Sequence, residues 1–151
     1  MCGKIFSFPE YPESFILPNA EKFLVKKLNV LPKKSKERIE IKKLLKTTPV
    51  IKTIEQSDFV LPGNGFKICY TDNNEGMFCV LDGTCKIKEH TLPHNTSIVL
   101  ASSCLGKLVI GKKAGEKCLL KEGEKERPFV IEHVIPPSKA KWPFKFENYL
   151  V

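Results

Sequence analysis

The sequence lacks any apolar run that approaches the roughly 20 residues of a membrane-spanning helix. It also lacks the basic region and apolar stretch of a secretory signal, and it has no internal repeat and no low-complexity segment. We therefore expect neither an integral membrane protein nor a repeat array. What is present, 42% hydrophobic and 28% charged residues among 151, is typical of a single globular domain.

Metal-site signatures are also missing. Four potential ligands, Cys79, Cys85, His90 and His94, lie near one another in the sequence, but their spacing is not that of a zinc finger. Cys79 sits between apolar residues and is better explained as a core thiol. Without a secretory signal we expect a reducing, cytoplasmic compartment in which the six cysteines are thiols. We expect no bound metal.

Catalytic motifs are equally scarce. A cysteine nucleophile needs a histidine and an orienting acid beside it, and nothing in the sequence pairs Cys104 with His133. The glycine-rich pieces lack the Lys-Ser/Thr that completes a phosphate-binding loop. We therefore expect a protein that is not an enzyme, with no catalytic residues, no cofactor and no small-molecule substrate.

An excess of positive charge is the strongest compositional feature. Lys and Arg total 25 against 17 acidic residues, a net charge of +8. A basic cluster suits phosphate-bearing partners, either an anionic membrane face or nucleic acid, although a solvated helix face explains it as well. The cluster occupies one short segment, whose basic residues are Lys33, Lys34, Lys36, Arg38, Lys42, Lys43 and Lys46.

Cys2 differs from the other cysteines because it lies beside Lys4 and a group of apolar residues at the very N-terminus. The myristoylation pattern is not met, because glycine stands at position 3. A thiol there is a candidate for S-acylation, although an ordinary exposed cysteine explains it as well. One acyl chain binds a membrane only weakly, so a second signal is needed, and the basic segment could supply it.

The N-terminal third predicts helices. Prolines and aromatics in residues 1–18 indicate an extended arm, and helical spacing of apolar residues predicts a helix from Asn19 that ends before Pro32. Residues 36–46 are ambiguous, because Ser35 could cap a helix while the segment also alternates as a strand does. Thr48-Pro49 is typical of a helix start and predicts a third, short helix over 49–56.

From residue 58 onward the pattern changes to strands and tight turns. Residues 66–70 and 77–81 alternate about a turn at 72–76, which predicts a hairpin, and Asp82-Gly83 predicts a second hairpin that leads into a strand at 85–88. Further strands are predicted at 97–101, 107–110, 118–121 and 129–135. The aromatic tail at 142–146 is expected to pack back on the core.

These elements predict an α+β fold: an antiparallel sheet made mostly from residues 60–136, with two or three short N-terminal helices. We divide the chain into an extended N-terminal arm, residues 1–18, which carries the possible acylation site, and a single globular domain, residues 19–151.

Three short stretches resemble the immune mapped proteins of apicomplexan parasites: residues 1–4 (MCGK), residues 76–83 (GMFCVLDG) and residues 142–144 (WPF). The resemblance implies a non-enzymatic antigen at the inner face of the plasma membrane, held there by N-terminal acylation. The sequence departs from that pattern at Cys2, where the family has a glycine that can be myristoylated. Palmitoylation would then have to act alone.

Together these observations favour a non-enzymatic, membrane-associated binding or scaffold protein on the cytoplasmic side of the plasma membrane. Its expected partners are an anionic membrane surface and an unidentified protein. The alternative is a soluble nucleic-acid-binding domain that uses the same lysines, although no known recognition module is present.

Overall fold

Five strands form the central sheet of the computed structural model, which describes residues 11–12, 14–83, 96–141 and 145–146. The strand order is β3-β2-β1-β5-β4, and a separate pair, β6 and β7, lies near the C-terminus. The strands are β1 Gly65–Tyr70, β2 Gly76–Asp82, β3 Thr96–Leu100, β4 Lys117–Glu122, β5 Lys125–Ile135, β6 Ala140–Lys141 and β7 Lys145–Phe146. The helices are α1 Pro18–Val30, α2 Lys36–Thr47 and α3 Cys104–Val109.

The α+β class is confirmed, but the prediction of an antiparallel sheet with only N-terminal helices is wrong in two respects. β3 runs parallel to β2, from the pair Phe78 and Thr96 to the pair Asp82 and Leu100. Parallel neighbours need a long crossover instead of a tight turn, and the 13 residues between β2 and β3 give room for one. In addition, α3 lies between β3 and β4. The strand predicted at 85–88 lies outside the described residues.

The other strand pairs are antiparallel. β1 pairs with β2 through the predicted hairpin, where Asn74 takes a φ of 57°, the left-handed conformation that asparagine tolerates well. β4 pairs with β5, and β5 also pairs with β1, with a bulge where the register shifts between Lys67 and Ile68. The strands predicted at 66–70, 77–81, 97–101, 118–121 and 129–135 are thus present, with boundaries that differ by a few residues.

The helix predicted to end before Pro32 is confirmed as α1, which starts on Pro18 with Leu17 in the cap position instead of Asn19. The ambiguous segment 36–46 is helical. Ser35 caps α2 by accepting a hydrogen bond from the backbone N–H of Arg38 at 3.2 Å. The cap and the burial of Ile41 and Leu44 both favour the helical pattern over the strand pattern.

Two predicted elements are wrong. Residues 49–56 do not form a helix, because the backbone of Ile16 pairs with this segment in a strand-like bridge: its N–H donates to Pro49 and its carbonyl accepts from Ile51. Residues 107–110 do not form a strand. They lie largely within α3, which Ser103 caps by accepting a hydrogen bond from the N–H of Gly106 at 3.0 Å.

The sheet carries a buried cluster on each face, as the alternation of side chains along β2 requires. Val80 packs with α1, α2 and the segment just before α1, in which Phe15 is fully buried. Cys79 and Leu81 point the other way, toward the second cluster, where α3 contributes Val109. The later part of the proposed N-terminal arm therefore belongs to the core. Residues 1–10 and the aromatic tail residues 142–144 lie outside the described residues.

The close approach of α3 to the end of β3 gives a stability prediction. A Cβ at Gly106 would lie 2.0 Å from the carbonyl oxygen of Leu100, so Gly106→Ala forces backbone to move. We expect the free energy of unfolding, measured by urea denaturation, to fall by about 1–3 kcal/mol. At Gly76 the nearest atom is the flexible end of Lys67, at 3.0 Å, so Gly76→Ala is the control and should change stability little. Equal effects of the two variants would contradict the packing described.

Candidate functional site: a basic helical hairpin

Nearly all the net charge of the protein lies on one structural unit. Residues 18–47, which comprise α1, α2 and the connection between them and are called the basic hairpin below, hold ten basic and three acidic residues. This unit therefore carries +7 of the total charge of +8. Clustered charge of one sign on a protein surface attracts polyanions.

The exposed face of α2 is built by helical periodicity. Ile41 and Leu44 are buried against the sheet, so residues on the opposite side of the helix face solvent. At 3.6 residues per turn, the solvent side places five positions within an arc of about 120°. Four of these are exposed lysines and the fifth is an isoleucine: Lys36, Ile39, Lys42, Lys43 and Lys46.

Ile39 lies among these lysines and is 60% exposed, although its side chain is bulky and apolar. Val30, the last residue of α1, is 80% exposed. The connection between the helices adds two more exposed cations, Lys33 and Lys34. A basic surface that presents bulky apolar side chains is the composition of helices that lie in the interface of an anionic bilayer.

Arg38, in contrast to the lysines, points inward. Its guanidinium donates through Nη1 to the carbonyl oxygen of Leu28 and, at 3.5 Å, to that of Leu31. These carbonyls lie at the end of α1, where a helix leaves acceptors without intrahelical partners. Of the seven basic residues that the sequence analysis grouped together, Arg38 therefore fastens the hairpin, and the other six are exposed.

A second contact also joins the two helices. The ammonium of Lys27 lies 2.7 Å from the carboxylate of Glu37, and it lies 5.9 Å from the centre of the Phe23 ring. Lys27 is thus engaged in the interior of the hairpin. The exposed face of α1 contributes Lys22 and Lys26 instead.

The opposite end of the sheet has the opposite charge. The turns at 71–76 and 122–126 lie side by side, and they hold five acidic residues and one basic residue. Beside them the guanidinium of Arg127 stacks 3.7 Å from the centre of the Tyr70 ring and donates to Asp72 at 3.1 Å. The hydrogen bond with Arg127 lowers the pKa of Asp72, and burial raises the pKa of Tyr70. The molecule therefore has a basic pole and an acidic pole.

The residues considered for catalysis or metal binding do not form a site where the structure describes them. Cys79 is fully buried, and burial raises the pKa of its thiol to about 12, so it stays protonated. Cys104 is exposed on α3, and His133 is exposed on β5. Among residues 11–12, 14–83, 96–141 and 145–146, no cluster of side chains could hold a metal ion. Cys2, Cys85, His90 and His94 lie outside these ranges.

No helix in the described part of the chain has the length and apolar character that crossing a bilayer requires.

Comparisons with known proteins give little further guidance. No protein-family model matches the chain, and no curated protein matches it significantly. Among solved structures it is similar to the transcription factor Gfh1, with a TM-score of 0.44 and 10% identity over 83% of this chain and 99% of that one. It is also similar to the elongation factor GreA/GreB from Nitrosomonas europaea, with a TM-score of 0.39 and 15% identity over 83% and 99%. These likenesses are too distant to indicate a shared function.

The sequence analysis missed the exposed apolar residues of the basic hairpin, Val25, Val30 and Ile39, and the inward position of Arg38. The signal for Ile39 was present, since a helical reading of 36–46 places it opposite Ile41 and Leu44. No sequence signal indicated that Arg38 bonds to α1, because those bonds depend on how the two helices are packed.

The different roles of Arg38 and the exposed lysines predict different effects on stability. Arg38→Ala removes hydrogen bonds from a charged donor to two carbonyls, and we expect the free energy of unfolding to fall by about 1.5–3 kcal/mol. Lys42→Ala removes an equal charge from the exposed face of α2 and should change the free energy of unfolding by less than about 0.5 kcal/mol. Urea denaturation of both variants tests this. An Arg38→Ala protein as stable as the wild type would rule out the fastening role.

Proposed function

We propose that this protein is a non-enzymatic binding or scaffold protein that docks on the anionic, cytoplasmic side of the plasma membrane through its basic hairpin. The observation that carries the proposal is the composition of one surface: +7 of the +8 net charge lies on the basic hairpin, with Ile39 exposed among its lysines. Lysines near an anionic bilayer contribute about 1 kcal/mol each, and an inserted apolar side chain adds to this.

The two poles of the molecule support a defined orientation on such a surface. The basic hairpin packs where β1 begins, around Val80 and Ile135, while the acidic turns lie at the other end of β1. An anionic membrane attracts the first pole and repels the second. The acidic end of the sheet would then point into the cytoplasm, where a protein partner could reach it.

S-acylation of Cys2 is the second part of the proposal. A single acyl chain gives marginal, reversible attachment, and a polybasic surface is one of the signals that makes attachment stable. The basic hairpin provides that signal. Membership of the apicomplexan immune mapped proteins, and a role as a parasite antigen, stay proposals that rest on the resemblance of residues 1–4, 76–83 and 142–144.

Nucleic-acid binding is the alternative use of the same lysines. The exposed lysines can neutralise the phosphates of a nucleic acid just as they can neutralise lipid headgroups. The exposure of Ile39 and Val30 favours the membrane, because contacts with a phosphate backbone make no use of bulky apolar side chains at the centre of a basic face.

Docking through the basic hairpin predicts which lysines contribute to membrane binding. Replacing Lys36, Lys43 and Lys46 with glutamine removes three charges from the exposed face of α2, so we expect binding to vesicles containing phosphatidylserine to weaken about 100-fold. The matched control replaces Lys117, Lys121 and Lys125, exposed residues of the sheet, and loses the same net charge. Vesicle co-sedimentation at fixed salt compares the two. Equal losses would show that net charge alone, and not this surface, controls binding.

The acylation proposal predicts a separate effect in eukaryotic cells. Cys2→Ser should move the protein from the membrane fraction to the soluble fraction, because the basic hairpin alone binds reversibly. Hydroxylamine, which cleaves thioesters, should release the wild type in the same way, and Cys104→Ser is the control at another exposed thiol. If the Cys2→Ser protein stays on membranes to the same extent as the wild type, acylation of Cys2 is not the anchor.

A further inference from the structure

Ser35 occupies a special position in the basic hairpin. It lies in the connection between α1 and α2, with an extended backbone (φ −69°, ψ 143°), and its side-chain oxygen accepts a hydrogen bond from the N–H of Arg38. It is half-exposed, and the three lysines around it, Lys33, Lys34 and Lys36, are all exposed. A serine hydroxyl is thus presented within the most basic part of the surface.

The chain contains a second helix-capping serine that differs in its surroundings. Ser103 caps α3 with the same geometry, accepting a hydrogen bond from the N–H of Gly106 at 3.0 Å, and it is also half-exposed. Its neighbours are Ser102 and Cys104, and the first lysine follows four residues later. The hydroxyl of Ser103 also donates to the carbonyl oxygen of Leu100 at 2.6 Å. The two capping serines therefore differ in their flanking lysines and in this additional hydrogen bond.

We propose that Ser35 is a phosphorylation site for a serine kinase that selects basic residues on both sides of the acceptor, and that the phosphate releases the basic hairpin from the membrane. The inference rests on the proposed function and adds its regulation. In the transfer, Oγ of Ser35 forms a bond to the γ-phosphorus of ATP, and the bond from that phosphorus to the oxygen bridging to the β-phosphate breaks. ADP leaves, and the hydroxyl proton passes to the base of the kinase.

The phosphate lowers the net charge of the basic hairpin without unfolding α2. Phosphoserine carries about −1.5 to −2 at neutral pH, so the charge of the basic hairpin falls from +7 to about +5. At a helix N-terminus a negative group is stabilising, so α2 is kept. The phosphate lies beside the lysines that would contact lipid headgroups, and it competes with those headgroups for the same cations.

The test uses the full-length protein, the catalytic domain of a basophilic serine kinase with ATP, and vesicles containing phosphatidylserine. Mass spectrometry locates the phosphate, with Ser103 as the internal control. Binding is then compared for the phosphorylated protein, for Ser35→Asp and for Ser35→Asn. Asp and Asn both cap helices well and differ in one charge, so a change of fold is separated from a change of charge.

We expect phosphate on Ser35 and none on Ser103. Vesicle binding should weaken about 30-fold on phosphorylation, and about fivefold for Ser35→Asp relative to Ser35→Asn. Absence of phosphate from Ser35 in the folded protein overturns the proposal, and so does equal binding of the Asp and Asn variants when the wild type binds vesicles. If the wild type does not bind these vesicles at all, the proposed function itself fails and the switch fails with it.

Discussion

Burial of the apolar side of the basic hairpin against the sheet decides where its charges lie. Leu24 of α1 and Ile41 and Leu44 of α2 pack with Phe15, Val80 and other members of the same buried cluster. Removing such side chains from water contributes roughly 1.5–3 kcal/mol each. Because helical periodicity is fixed, the same burial directs the lysines of α2 outward together. The basic surface is therefore a direct consequence of the core beneath it.

Concentrating this much positive charge is energetically unfavourable, and two contacts inside the hairpin offset part of the repulsion. Like charges repel, and a net +7 within 30 residues opposes the compact state. Arg38 offsets part of this by bonding to carbonyls at the end of α1, and Lys27 pairs with Glu37 at 2.7 Å. Within the part of the chain that the structure describes, the exposed lysines have no such partner. An anionic binding partner would supply that compensation, which is the physical reason to expect one.

Much of the fold could be predicted from local sequence signals. The helix before Pro32, the hairpin around Asn74 and the strands on either side of the turn at 123 follow from periodicity and turn chemistry. The failures occur where distant contacts override local pattern. Residues 49–56 are held by the backbone of Ile16, and the direction of β3 depends on a crossover whose path no local motif announces. The lysine cluster could be found in the sequence, but its division into one fastening arginine and six exposed lysines required the packing of α1 on α2.

The most direct test of the membrane account uses Ile39, because a bilayer can bury this side chain and the phosphate backbone of DNA cannot. Binding of the wild type and Ile39→Gln should be measured against vesicles containing phosphatidylserine and against duplex DNA at the same salt. Ile54→Gln, at an exposed isoleucine outside the basic hairpin, is the control. The account predicts that Ile39→Gln binds vesicles about tenfold more weakly while its DNA binding equals that of the wild type. Unchanged vesicle binding by Ile39→Gln, together with tighter binding of the wild type to DNA, would contradict it.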